Sequence, residues 1–195
     1  MEVVLKLKFP DNSNYKENAM LKVSKTDQPP EIETMRRLIK DRGSYLYFLL
    51  KAAEEQGLDW EKFALAGLTK YGCMRYRAAF TNIKGLDDFA AAYVNDTTKK
   101  IFDSDIIEKD DKHLVIKAGY CPLMHAWIDC GGNDEYVNTL CDIAMDGDRA
   151  MVNSIPALSF KLQKSLAAGD CQCEFLVELR NLQQSIPRNE GNKSK

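Results

Sequence analysis

The chain has 195 residues, a formal net charge of -2, 45% hydrophobic and 29% charged residues. That suits one domain with a sizeable core, and without a basic surplus the chain is a poor fit to nucleic acid. No apolar run approaches the length needed to cross a bilayer. The start, Met1-Glu2-Val3-Val4-Leu5-Lys6, lacks the basic and apolar regions of a secretory signal, so a cytoplasmic protein off the membrane is expected.

Val3, Leu5, Leu7 and Phe9 alternate with Val4, Lys6 and Lys8, the period of a half-buried strand. Pro10 to Asn14 is a loop, and Met20 to Val23 reads as a short strand. From Glu31 the period turns helical through Met35, Leu38, Ile39, Leu46, Leu49, Leu50 and Ala53. Gly43 weakens the middle of that helix, and Gly57 is a natural C-terminal stop. Asp59 is an N-cap for a second helix from Trp60, with Leu58 and Phe63 at the spacing of a hydrophobic staple. That helix is expected to be interrupted at Gly72 and to resume through Phe80, and a third runs from Leu86 to Val94.

After Asn95-Asp96 the spacing predicts a strand over Thr97 to Glu108, a turn at Lys109 to Lys112, and a returning strand through Leu114, Ile116 and Ala118. Pro122 fits the first position of a helix, which makes Cys121 its N-cap and places its end near Cys130-Gly131-Gly132. Asn133 caps the next helix, which carries Val137, Leu140, Cys141, Ala144, Met145, Asp148 and Met151. After Pro156 a last hairpin alternates Leu158, Phe160 and Leu162, turns at Ala167 to Asp170, and places Cys171, Cys173, Phe175, Val177 and Leu179 on one face. Helices first and strands later make the fold class α+β, an antiparallel sheet with helices packed on one side. One domain is expected over residues 1–186, with a polar disordered tail at 187–195.

The 6 cysteines are Cys73, Cys121, Cys130, Cys141, Cys171 and Cys173. In a reducing compartment they are thiols or ligands rather than disulfides. Cys121 stands out, because a helix N-cap faces unpaired N–H groups and the positive end of the dipole, both of which favour thiolate. His125 lies one turn on, where an imidazole can take the thiol's proton or share a metal. Asp148 is a general base or amine anchor, with Arg149 as a neighbouring ion-pair partner. Asp170 is ordinary turn chemistry. For Cys141 and Cys173 packing is the larger expectation. A zinc site from Cys121, His125, Cys141 and Cys173 has suitable donors but fits no standard spacing, so no metal or other cofactor is assigned. Phosphate-loop, dinucleotide, nucleophile-elbow and zinc-protease motifs are absent from the sequence.

Three separated pieces share one order: Cys121-Pro122-Leu123 followed by Ala126-Trp127, Leu140-Cys141-Asp142-Ile143-Ala144-Met145 followed by Gly147-Asp148, and Gly169-Asp170 followed by Cys173-Glu174-Phe175. From Leu114 to Leu179 the chain resembles the L-2-amino-thiazoline-4-carboxylic acid hydrolase family. The last piece is also similar to 4-vinyl-reductase-like small-molecule-binding domains. The first resemblance implies an α+β hydrolase that opens a cyclic amidine bearing a carboxylate to a carbamoyl-cysteine. Cys121, Cys141, Asp148 and Cys173 sit at the matching family positions; with the residues read above, Cys121, Asp148 and His125 are the expected catalytic residues and Cys141, Cys173 and Asp170 the expected substrate-binding ones. The N-terminal strand, His125, Cys130 and Cys171 depart from the family pattern. A small-molecule substrate and no nucleic acid or membrane partner are expected, with a homodimer as the base-rate assembly. The competing readings are a zinc-dependent hydrolase, a binding module without chemistry, and a structural partner in a larger assembly.

Overall fold

Helix α1 (Pro30–Glu55) begins with a proline in its first turn and the acidic Glu31 and Glu33 against its N-terminal dipole. The structure, a computed structural model, describes residues 28–180; the strands read at Val3 to Phe9 and Met20 to Val23, and the tail from 187, lie outside those residues. Gly43 does not loosen α1. A side chain there would put its Cβ 3.0 Å from the Cβ of Ala126, and its carbonyl accepts a 3.0 Å hydrogen bond from Trp127 Nε1. The glycine therefore marks the close crossing of α1 with α5 (Pro122–Asp129).

Gly57, at φ +75°, follows α1 as expected. Asp59 caps α2 (Trp60–Arg75), its side chain accepting from Lys62 N–H at 3.1 Å. Leu58 and Phe63 are 54% and 59% exposed, so the staple read from their spacing buries little surface. Helix α2 runs through Gly72 without a break and ends in a π-turn, Tyr76–Phe80. Helix α3 (Leu86–Tyr93) lies where the periodicity put it.

The strand expected from Thr97 is half wrong. Residues Asp96–Phe102 form helix α4, because Asn95 accepts from the N–H groups of Thr97 and Thr98 while the Thr98 hydroxyl accepts from the Asn95 N–H. This reciprocal cap outweighs the strand preference of two β-branched threonines. Asp103, in the left-handed region at φ 49°, ends the helix. Strand β1 (Ser104–Lys109) then pairs with β2 (His113–Ala118) in the expected hairpin.

The helix expected from Asn133 through Met151 is two, α6 (Asp134–Ala144) and α7 (Asp146–Asn153), which meet at Met145. Strands β3 (Leu158–Lys164) and β4 (Cys173–Leu179) close an antiparallel sheet of order β1-β2-β4-β3. Cys171 is exposed and precedes β4 rather than sharing its face.

Two apolar clusters hold these layers. Phe89, Leu114, Ile116, Met151, Leu158 and Val177 pack between the sheet and α3 and α7. Tyr47, Leu50, Trp127, Val137 and Leu140 pack among α1, α5 and α6. Helices and an antiparallel sheet thus form the α+β architecture read from the sequence. No described helix is long and apolar enough to cross a membrane.

Candidate active site

A close approach between α2 and α7 positions the candidate site. A Cβ built on Gly72 of α2 would lie 2.1 Å from the carbonyl oxygen of Gly147 and 2.9 Å from the Ala150 Cβ, both on α7. Only a glycine lets the two backbones meet there. Arg75, three residues beyond Gly72 and so on the same side of α2, reaches Asp148, the residue after Gly147. Its Nη1 donates to Asp148 Oδ1 at 2.7 Å. The Tyr93 hydroxyl, arriving from the end of α3, donates to the same oxygen at 3.1 Å.

Asp148 and Arg75 are 18% and 30% exposed at their side chains, so the pair is crowded yet open to solvent at one edge. Burial works against the charge of Arg75, but the Asp148 carboxylate more than restores it, and the guanidinium is held firmly cationic. Burial and the same carboxylate push the Tyr93 phenol well above its ordinary range, which fixes it as a proton donor.

Three thiols share this neighbourhood. Cys121 lies within electrostatic reach of Asp148 and Arg42, Cys141 within reach of Cys121 and Cys173, and Cys173 within reach of Cys121. All three are half-buried. Cys121 is the N-cap residue of α5, as the Cys-Pro pair indicates, but its sulfur makes no full capping hydrogen bond. Burial raises its pKa, and the N–H groups of Met124 and Leu123 only partly oppose that rise. The expected preference for thiolate is therefore outweighed by desolvation. Burial also raises Cys141 well above its usual range and takes Cys173 up to about 11. The Leu166 N–H donates to the Cys173 sulfur at 3.4 Å.

Two expectations change. Arg149 does not pair with Asp148; it binds Asp142 at 2.5 Å and Asp146 at 3.2 Å, because the turn into α7 aims it outward. His125 is turned away from Cys121 and Asp148. Its ring lies 4.3 Å from that of Tyr120, and it lines a cavity between α1 and α5. Asp170 is exposed and steadies its own loop by accepting the Ser165 N–H at 2.8 Å. Among the described residues no group of three or more His, Cys, Asp or Glu side chains is disposed to hold a metal ion.

Arg75 and Tyr93 belong to no motif, and reading the sequence missed them. The signal was Gly72, a glycine inside a helix with no turn to explain it.

His125 is only 8% exposed, and burial, helped by Lys40 and opposed by Asp129, lowers its pKa from 6.5 to about 4. The unfolded chain therefore binds more protons between those values, and this contribution to stability is whole above pH 6.5 and lost as pH falls toward about 4. The variant H125Q should show a flatter loss of urea stability across that window than the parent. Parallel curves would show that His125 titrates freely.

A half-buried acid, held by an arginine and a tyrosine and within electrostatic reach of Cys121 on an α+β scaffold, describes the class: an α+β domain with a candidate centre of carboxylate and thiol. The sequence model of the L-2-amino-thiazoline-4-carboxylic acid hydrolase family matches residues 36–177, which takes in every group just described, and the chain belongs to that family. No curated protein matches it. Among solved structures, a trafficking protein particle complex subunit 3 from Naegleria fowleri, covalently bound to palmitic acid, is similar at 12% identity and a TM-score of 0.47, over 74% of this chain and 96% of that one.

Proposed function

We propose that the chain hydrolyses a small cyclic amidine of the 2-amino-thiazoline-4-carboxylate type to a carbamoyl-cysteine, with Cys121 as nucleophile. The observation that carries this reading is the Asp148 carboxylate, fixed by Arg75 and Tyr93 within electrostatic reach of the Cys121 thiol. An amidine ring offers two N–H groups and a positive charge, which a carboxylate accepts and neutralises. Arg42, whose charge also reaches Cys121, suits the substrate carboxylate.

In the first step the Cys121 sulfur bonds to the amidine carbon, and the thiol proton passes by way of Asp148 to the ring. The ring carbon–sulfur bond breaks, and the departing sulfur keeps the proton as the product's thiol. Water then attacks the same carbon, its oxygen becomes the carbamoyl oxygen, and Cys121 recovers its proton. One water is consumed and no group is lost. The N–H groups of Met124 and Leu123 at the N-terminus of α5 favour negative charge on the Cys121 sulfur as it attacks and again as it departs.

The test is Cys121→Ser with 2-amino-thiazoline-4-carboxylate, scored by product thiol or carbamoyl-cysteine. We expect turnover to fall by about a thousandfold or more with the fold retained. Because Cys121 rests above the ordinary thiol range, the parent's kcat/KM should climb as pH rises through the alkaline limb, and the serine variant should not follow it. Full activity in the serine variant would reject the mechanism. Tight binding by the parent without ring opening would make the chain a binding module instead.

A further inference from the structure

The cavity between α1 and α5 contains none of the thiols and neither Asp148 nor Arg75. It has a volume of about 490 Å³ and is lined by Glu33, Thr34, Arg36, Arg37, Lys40, Tyr120, His125, Ile128 and Asp129, a size usual for small-molecule sites. Its floor is built with care. Arg36 is 2% exposed, lies over the Tyr120 ring at 4.0 Å, and donates to the carbonyls of Ile101 and Lys100 at the end of α4, both at 3.0 Å. The ring of His125 packs against the same tyrosine.

His125 is the unexplained part. It is more than nine-tenths buried, it lines the cavity, and its ring nitrogens make no hydrogen bond to any described residue. Among the described residues the Tyr136 hydroxyl, and not this imidazole, is sealed from solvent without a partner, so the unpartnered nitrogens of His125 open onto the cavity. Around it, Arg36 pairs with Glu33 at 3.3 Å and Lys40 with Asp129 at 2.5 Å. Arg37 makes no ion pair among the described residues, so these five charges leave the cavity one positive charge in excess. Tyr120 and Ile128 supply an apolar wall.

We infer that this cavity is a second ligand site, separate from the thiol centre, which takes a small oxyanion whose oxygens accept from the His125 ring N–H and from Arg37. The oxyanion is a carboxylate or a phosphate, the two groups that this pairing of a neutral imidazole with a guanidinium can hold. Arg36, already committed to α4, provides a fixed positive background. The ligand's remaining atoms lie on Tyr120 and Ile128. This inference does not depend on the reaction proposed for Cys121.

The chain has 2 histidines, and His113 sits on β2 with Asp110 at 3.1 Å, which gives an internal control. Histidine-labelled full-length protein would be titrated at pH 7.5 and constant ionic strength with sodium acetate, and separately with sodium phosphate. We expect the His125 ring signals to shift saturably while those of His113 stay in place. Tighter saturation with acetate identifies a carboxylate, and tighter saturation with phosphate identifies a phosphate ligand. In Arg37→Gln, whose side chain is exposed, the affinity should fall by about tenfold with the His113 signal unchanged. No saturable His125 shift with either anion, equal shifts of both histidines, or unaltered affinity in Arg37→Gln would each overturn the inference.

Discussion

Replacing Gly72 by alanine should unseat α2 from α7 and dismantle the acid centre without touching any reacting group. The new methyl carbon would sit 2.1 Å from a backbone oxygen, that of Gly147, and 2.9 Å from the Ala150 side chain. A flexible side chain could swing aside, but a carbonyl inside a helix cannot, so the helices must separate. Overpacking of this kind costs about 1–3 kcal/mol in cores that can relax, and a backbone clash puts the expected loss at or above the top of that range. Separation also draws Arg75, three residues along, away from Asp148, so turnover should fall with stability. Urea unfolding with a parallel ring-opening assay would show both. The control is Gly67, on the same helix, where an added Cβ meets nothing within 4 Å. Gly67→Ala should stabilise by up to about 1 kcal/mol through helix propensity alone and leave activity intact. If the two variants behaved alike, the α2–α7 contact would not be the element that builds the site.

The same contact explains which features of the molecule were legible in the sequence. Elements set by local chemistry were read correctly: the Asp59 and Asn133 caps, the Cys121-Pro122 start of α5, and the two hairpins. Where a cap competed with strand propensity, at Asn95 and Thr98, the wrong one was chosen, because their mutual hydrogen bonds depend on a turn that residue type does not declare. Gly43 and Gly72 looked like weak points inside helices and proved to be crossings, since a glycine's neighbours across a helix interface are invisible in one chain's spacing. The motif pieces marked Cys121, which lies within electrostatic reach of Asp148, and Cys141 and Cys173, which lie within reach of Cys121. They could not mark Arg75 or Tyr93, which reach Asp148 from 73 and 55 residues away. His125 shows the converse. It stands one turn from Cys121 at the start of the same short helix, yet its imidazole lines the cavity between α1 and α5.

The variant D148N should separate the charge of the acid from its hydrogen bonds. Asparagine keeps an oxygen that can accept from Arg75 and Tyr93, so the local geometry survives, but the negative charge proposed to neutralise an amidinium is gone. If Asp148 carries protons and holds the amidine, kcat/KM should drop by about a hundredfold or more. The fall should appear in both kcat and KM, because the same carboxylate serves binding and chemistry. Removing its partner tests a different role. Arg75 orients Asp148 and does not meet the substrate in this scheme, so Arg75→Met should lower kcat more gently, by roughly tenfold. For stability, D148A alone strands a partly buried guanidinium and should cost about 1–3 kcal/mol. The double variant D148A/R75M leaves no stranded charge and should lose less than the sum of the two single losses, a coupling that a double-mutant cycle in urea measures directly. Additive stability losses would mean that the 2.7 Å contact contributes nothing in solution, and D148N within threefold of parental activity would remove the carboxylate from the chemistry.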